Sequence, residues 1–153
     1  MMKKLVLLLC ACLLSGGPAI AQDAECLGKT GATDLCARAI TLEAEAEKEG
    51  IFPYPLAEDE TYFLMRLTAE GPSLIATIVN TKKMPDVLTE LASLGSSLEQ
   101  LQNHHQVGSK NAVCSGPVFS EFIQEGGTFL HVYMTLDGTV YSVVFIHQCE
   151  AEG

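Results

Sequence analysis

The sequence predicts an α+β domain in which two antiparallel β-hairpins form a roughly four-stranded sheet packed with about three helices. Three observations carry this. Apolar, strand-forming runs flank a turn at Gly71-Pro72 and another at Asp137-Gly138. Leucine and alanine recur at helical spacing in the stretches between them. Four cysteines remain once an export leader is set aside, which suits a small domain stapled in an oxidising compartment.

The leader is expected over residues 1–21. Lys3 and Lys4 precede an apolar run from Leu5 to Leu14, Ser15-Gly16-Gly17-Pro18 interrupts it, and Ala19-Ile20-Ala21 offers small residues for cleavage after Ala21. The run is too short for a permanent membrane span. Leu9-Cys10-Ala11-Cys12 loosely imitates a lipid-attachment box, so a lipoprotein anchored at Cys12 is the competing expectation. Residues 22–153 then form a single exported domain, periplasmic or secreted. Removing Lys3 and Lys4 leaves 19 acids against seven bases, a net charge of −12. Such a surface repels nucleic acid and anionic lipid and favours a basic protein partner.

The first helix is expected over 34–49. Thr33 or Asp34 caps it, Leu35, Ala39, Leu42 and Ala46 form its apolar stripe, and Gly50 ends it. Glu43, Glu45, Glu47 and Glu49 are read as a solvated face. Residues 51–56 make a proline-punctuated connector. The first hairpin spans 61–80, although Leu74, Ile75, Ile78 and Val79 would also fit a helix. A second helix is expected over 85–105, where Val87, Leu91, Leu94, Leu98 and Leu101 repeat at alternating four- and three-residue steps and Gly95-Ser96-Ser97 introduces a bend. A short third helix over 116–125 has Pro117 in its first turn and stops at Gly126-Gly127.

The second hairpin, 128–148, carries the strongest functional signal. A two-residue turn at Asp137-Gly138 pairs Leu136 with Thr139 and, counting back, His131 with Val144. Leu130, Val132, Met134, Tyr141, Val143 and Phe145 then share one face, and Phe129, His131, Tyr133, Val140, Val144 and Ile146 share the other. Both are apolar. Helices cover both sides, or one face meets a partner, ligand or second copy. The expected binding surface is Phe129, His131, Tyr133, Val144 and Ile146, or an unpaired strand edge.

Catalytic signals are weak. His131 and His147 project to opposite faces, and His104-His105 lack the spacing of a helical metal site, so neither a metal nor another cofactor is expected. No Gly-x-Ser-x-Gly and no phosphate-binding glycine loop occurs. Cys26, Cys36, Cys114 and Cys149 permit three pairings, which the sequence leaves open. Cys26–Cys36 would tie the N-terminal segment to the first helix. Cys114–Cys149 would close a long loop worth roughly 3–4 kcal/mol.

Pro55-Leu56-Ala57-Glu58-Asp59-Glu60-Thr61 before a hairpin, a leucine-rich helix, Cys114, Pro117, Gly126-Gly127, Asp137-Gly138 and Cys149 together resemble a loose group of small exported bacterial α+β proteins of uncharacterised function. The resemblance runs from Phe52 to Cys149. It implies a Cys114–Cys149 bridge and brings no catalytic residue. Those proteins often carry Tyr-x-Tyr in the second strand and in the penultimate one. Ile75–Val79 has no tyrosine, and His131-Val132-Tyr133 is a partial echo.

The function expected is therefore non-enzymatic: an envelope protein that binds an exported partner or ligand, or a second copy of itself. The alternatives are a small enzyme using Cys114 or a histidine, and a metal or small-ligand carrier.

Overall fold

The computed structural model describes residues 24–149 apart from Ile51, Ala57 and Asp59. The expected leader and its cleavage site lie outside the described residues. In chain order the elements are α1 (Leu35–Lys48), β1 (Tyr54–Pro55), β2 (Tyr62–Glu70), β3 (Ser73–Asn80), α2 (Met84–Ser93), α3 (Leu98–Ser115), α4 (Pro117–Gln124), β4 (Thr128–Thr135) and β5 (Val140–Ile146). The strands form one sheet in the order β1-β2-β3-β4-β5.

Asp34 caps α1 by accepting a hydrogen bond from the Ala37 N–H at 3.0 Å. Leu35 and Ala39 are buried, with Leu42 and Ala46 packed beside them, so the expected stripe faces the core. Glu43 is not merely solvated: its carboxylate accepts the Ala69 N–H of β2 at 3.0 Å. Arg38 pairs with Glu121 and Glu125, joining α1 to α4.

The helix expected over 85–105 is two helices. Gly95 turns the chain at φ +66°, a conformation in which a side chain is strained. Ser97 and Gln100 then form a reciprocal capping box that starts α3 afresh. Local capping outweighed the leucine repeat, and Leu94 is left 74% exposed. α3 also runs ten residues beyond the expected end, to Ser115.

Both hairpins form. β2 and β3 pair antiparallel about Gly71-Pro72, which settles 61–80 as strands, and β4 pairs with β5 in the expected register from Phe129–Ile146 to Tyr133–Ser142. Two expectations change. The hairpins meet through β3 and β4, which run parallel, so the sheet is mixed. The chain between them passes through three helices and returns to the end where β3 began, the long crossover a parallel pair requires. The connector 51–56 also supplies a fifth strand, β1, whose Tyr54 pairs with Leu64.

One face of the sheet is the core. Leu67, Leu74, Ala76, Ile78, Phe129, Tyr133, Val144 and Ile146 pack there against Leu35 and Ala39 of α1, Val113 of α3, and Phe122 and Ile123 of α4. Gly127 has a packing reason beyond ending a helix: a Cβ there would lie 2.5 Å from the Phe122 ring. Two disulfides, Cys26–Cys36 and Cys114–Cys149, complete the domain.

Candidate functional site

All five residues expected to form the binding surface lie on the helix-covered face. Phe129, Tyr133, Val144 and Ile146 are buried and His131 is half-buried. Of the two arrangements expected for this face, it is cover by the chain's own helices that is found: α1, α3 and α4 pack over it. The residues left uncovered are the alternate ones. On β3 and β4 they are half-buried (Ile75, Thr77, Val79, Leu130, Val132, Met134), and on β5 Val143 and Phe145 are 57% and 56% exposed. A register shift beside Met134 exchanges two positions: Tyr141 turns into the core and Val140 outward.

Where α1 parts from α3 and α4, the covered face opens into a cleft of about 380 Å³. Leu64, Leu67, Ala76, Phe129 and His131 form its floor. Ala46 lies on one wall, and Ala112, Val113 and Phe119 on the other. Alanine at positions 46, 76 and 112 leaves the space that a larger side chain would fill. Tyr54 and Leu56 stand at the rim, on the same side of the short strand because side chains alternate along it. Both are about half exposed. Thus two of the five expected residues, Phe129 and His131, do line a cavity. The sequence signal for the rim was the proline-spaced Phe52, Tyr54 and Leu56, which carried no helix or strand period.

An aromatic row runs along β4 beneath the cleft. Phe119 meets Phe129 edge-on at 5.1 Å, Phe129 meets His131 at 5.2 Å, and His131 meets Tyr133 at 6.2 Å. His105 of α3 stacks on Tyr133 at 3.9 Å, and Tyr62 packs edge-on against both. Ser109 and the Tyr133 hydroxyl share a hydrogen bond of 2.8 Å. Burial pushes the His105 imidazole down to about 4, with neighbouring His104 adding repulsion, and burial alone does the same to His131. Both rings are neutral at pH 7, and the Nδ1 of each has no hydrogen-bond partner. A second hollow, of about 440 Å³, lies beside Tyr62, His104, His105 and Tyr133 and meets the cleft at Leu56.

The arrangement is suited to holding apolar groups. Cys114 is bonded to Cys149, so while that bond stands the cysteine-enzyme alternative lacks its nucleophile. Among the described residues one cluster has metal-ligand proximity, Cys26, Asp34 and Cys36. Its two sulfurs are bonded to each other, and the carboxylate caps α1, so it offers no thiolate.

Among solved structures, the fold is similar to that of a protein from Pseudomonas aeruginosa described as secreted, at 14% identity and a TM-score of 0.51, covering 75% of this chain and 94% of that one. The pilotin AspS of the Vibrio cholerae type II secretion system also matches, at 14% identity, a TM-score of 0.48, and 75% and 89% coverage. So does EpsS, the Vibrio vulnificus type 2 secretion pilotin, at 12%, 0.49, and 77% and 90%. No family model and no curated protein sequence matches. At such identities the likeness is one of fold. Among the described residues no helix is long and apolar enough to cross a membrane.

Proposed function

We propose that the chain is an exported, non-enzymatic protein that binds another envelope protein by seating that partner's apolar side chains in the cleft beneath Tyr54 and Leu56. The observation that carries this reading is the cleft itself: ligand-sized, lined mostly by apolar side chains together with His131, and rimmed by the exposed Tyr54 and Leu56. Neutral His131 can exchange one hydrogen bond with an incoming group without the cost of desolvating a charge. The leader expected over 1–21 supports export, and the net charge of −10 over the whole chain favours a basic surface around the partner's apolar anchor.

A photo-crosslinking side chain at Tyr54 tests the reading in cells. It should yield a discrete adduct with an envelope protein. Ala112→Trp, which places bulk at the mouth on an exposed position of α3, should abolish that adduct while leaving the folded domain intact. An adduct unaffected by the tryptophan would place the partner elsewhere.

A further inference from the structure

We infer that the free edge of β5 is a second docking site, which takes an extended segment of another polypeptide as an additional strand. The two edges of the sheet are built differently. β1 is two residues long, includes Pro55, and follows Pro53, so it offers little backbone for pairing. β5 is seven residues long, Val-Tyr-Ser-Val-Val-Phe-Ile, with neither proline nor charge, and among the described residues β4 is its sole strand partner. A bulge at Tyr141 interrupts its start and α3 flanks it on one side; from Ser142 to Ile146 the other usual devices against edge pairing are missing. At its start the Gln102 amide of α3 donates to the Tyr141 carbonyl at 2.5 Å.

The surroundings of the edge state what the added strand should be. On the helix side two hollows, of about 420 and 110 Å³, follow one another between α3 and β5 and share Gln106 and Val144. Gln102, Asn103 and Gln106 line this trough, and Lys110 stands at its far end. On the other side Val143 and Phe145 are exposed. Side chains of an added strand alternate between these two environments. The segment that fits therefore alternates uncharged polar residues, facing the α3 amides, with apolar residues extending the row of Val143 and Phe145. An acidic residue would meet Lys110. A second copy of the chain is a poor match: its own β5 would turn Ser142, Val144 and Ile146 toward the trough, and the last two are already buried in its own core.

The test uses a short peptide that alternates valine with glutamine and is N-methylated along one edge, so that it can add only as a single strand. Amide exchange of the full mature protein is followed by NMR as peptide is added. The expected result is saturable binding with slowed exchange along β5. Val143→Lys should weaken binding at least about tenfold at an unchanged melting temperature, since the residue is exposed. Gln106→Ala, an exposed position on α3, should weaken it without touching the sheet. Three results overturn the inference: no protection of β5 at saturating peptide, protection confined to the cleft around Phe129 and His131, or a protein dimer that Val143→Lys dissociates while the peptide fails to bind.

Discussion

The two faces of the sheet are made from the same residue types and end in opposite environments. Along β5, Val144 and Ile146 are 5% and 3% exposed, while their neighbours Val143 and Phe145 are more than half exposed. Composition does not separate the two sets. What separates them is which side the connections put their helices on. α1, α3 and α4 gather on one side, bound by the Arg38 pairs and by the Cys114–Cys149 bridge from α3 to the segment that follows β5. An apolar residue on a strand is therefore core only if something covers it. Where nothing does, it stays exposed to solvent.

The comparison can be broken at several points, and the effects should fall in a definite order. The largest belongs to the bridge. Replacing Cys114 and Cys149 by serine frees the two ends of a 35-residue separation, which the loop-entropy model puts at about 4 kcal/mol. Chemical denaturation should show that loss, and ligand-sized hollows near α3 should loosen with it. Next comes the covered face: Ile146→Ala should cost about 3 kcal/mol, the usual range for emptying a packed aliphatic site.

The buried histidines come third. Each has a folded pKa near 4 against an ordinary value of 6.5, so the unfolded chain binds protons that the folded one does not. Their contribution is fully present above about pH 6.5 and is lost as pH falls toward 4. Between those limits each histidine should add about 1.4 kcal/mol per pH unit to the slope of stability. His131→Gln should flatten the slope by roughly half of the histidine part, read from melts at a series of pH values; an unchanged slope would show that the ring is hydrated. The smallest effect belongs to the open face. Phe145→Ala should stay within about 0.5 kcal/mol of the parent, because the ring has little to lose on a solvated surface.

Local signals in the sequence carried much of the fold. Asp34, Pro117, Gly71-Pro72 and Asp137-Gly138 placed the ends of α1, α4 and both hairpins within a residue or two; beside the turn the β4–β5 pairing is one residue off the expected one (Met134 with Val140), and the bulge at Tyr141 restores the expected register from Tyr133–Ser142 onward. What failed was non-local. The leucine repeat at 87, 91, 94, 98 and 101 continued across a real helix break, because spacing alone cannot register the capping box at Ser97 and Gln100. The parallel β3–β4 junction depends on where three helices return the chain, which neither strand records. For the candidate site, the hairpin showed two apolar faces but could not show which one the helices would choose. Phe129 and His131 reach a cavity only because alanines from α1, β3 and α3 leave it empty, an arrangement assembled from distant parts of the chain.

The central claim is that the cleft edge is occupied by a partner in the cell. Carbene footprinting measures it directly, with the protein labelled in intact cells and again after purification. The account predicts strong protection of Tyr54 and Leu56 in cells that disappears on purification, with Ile146 unlabelled in both. Equal labelling of Tyr54 and Leu56 in the two samples would contradict it.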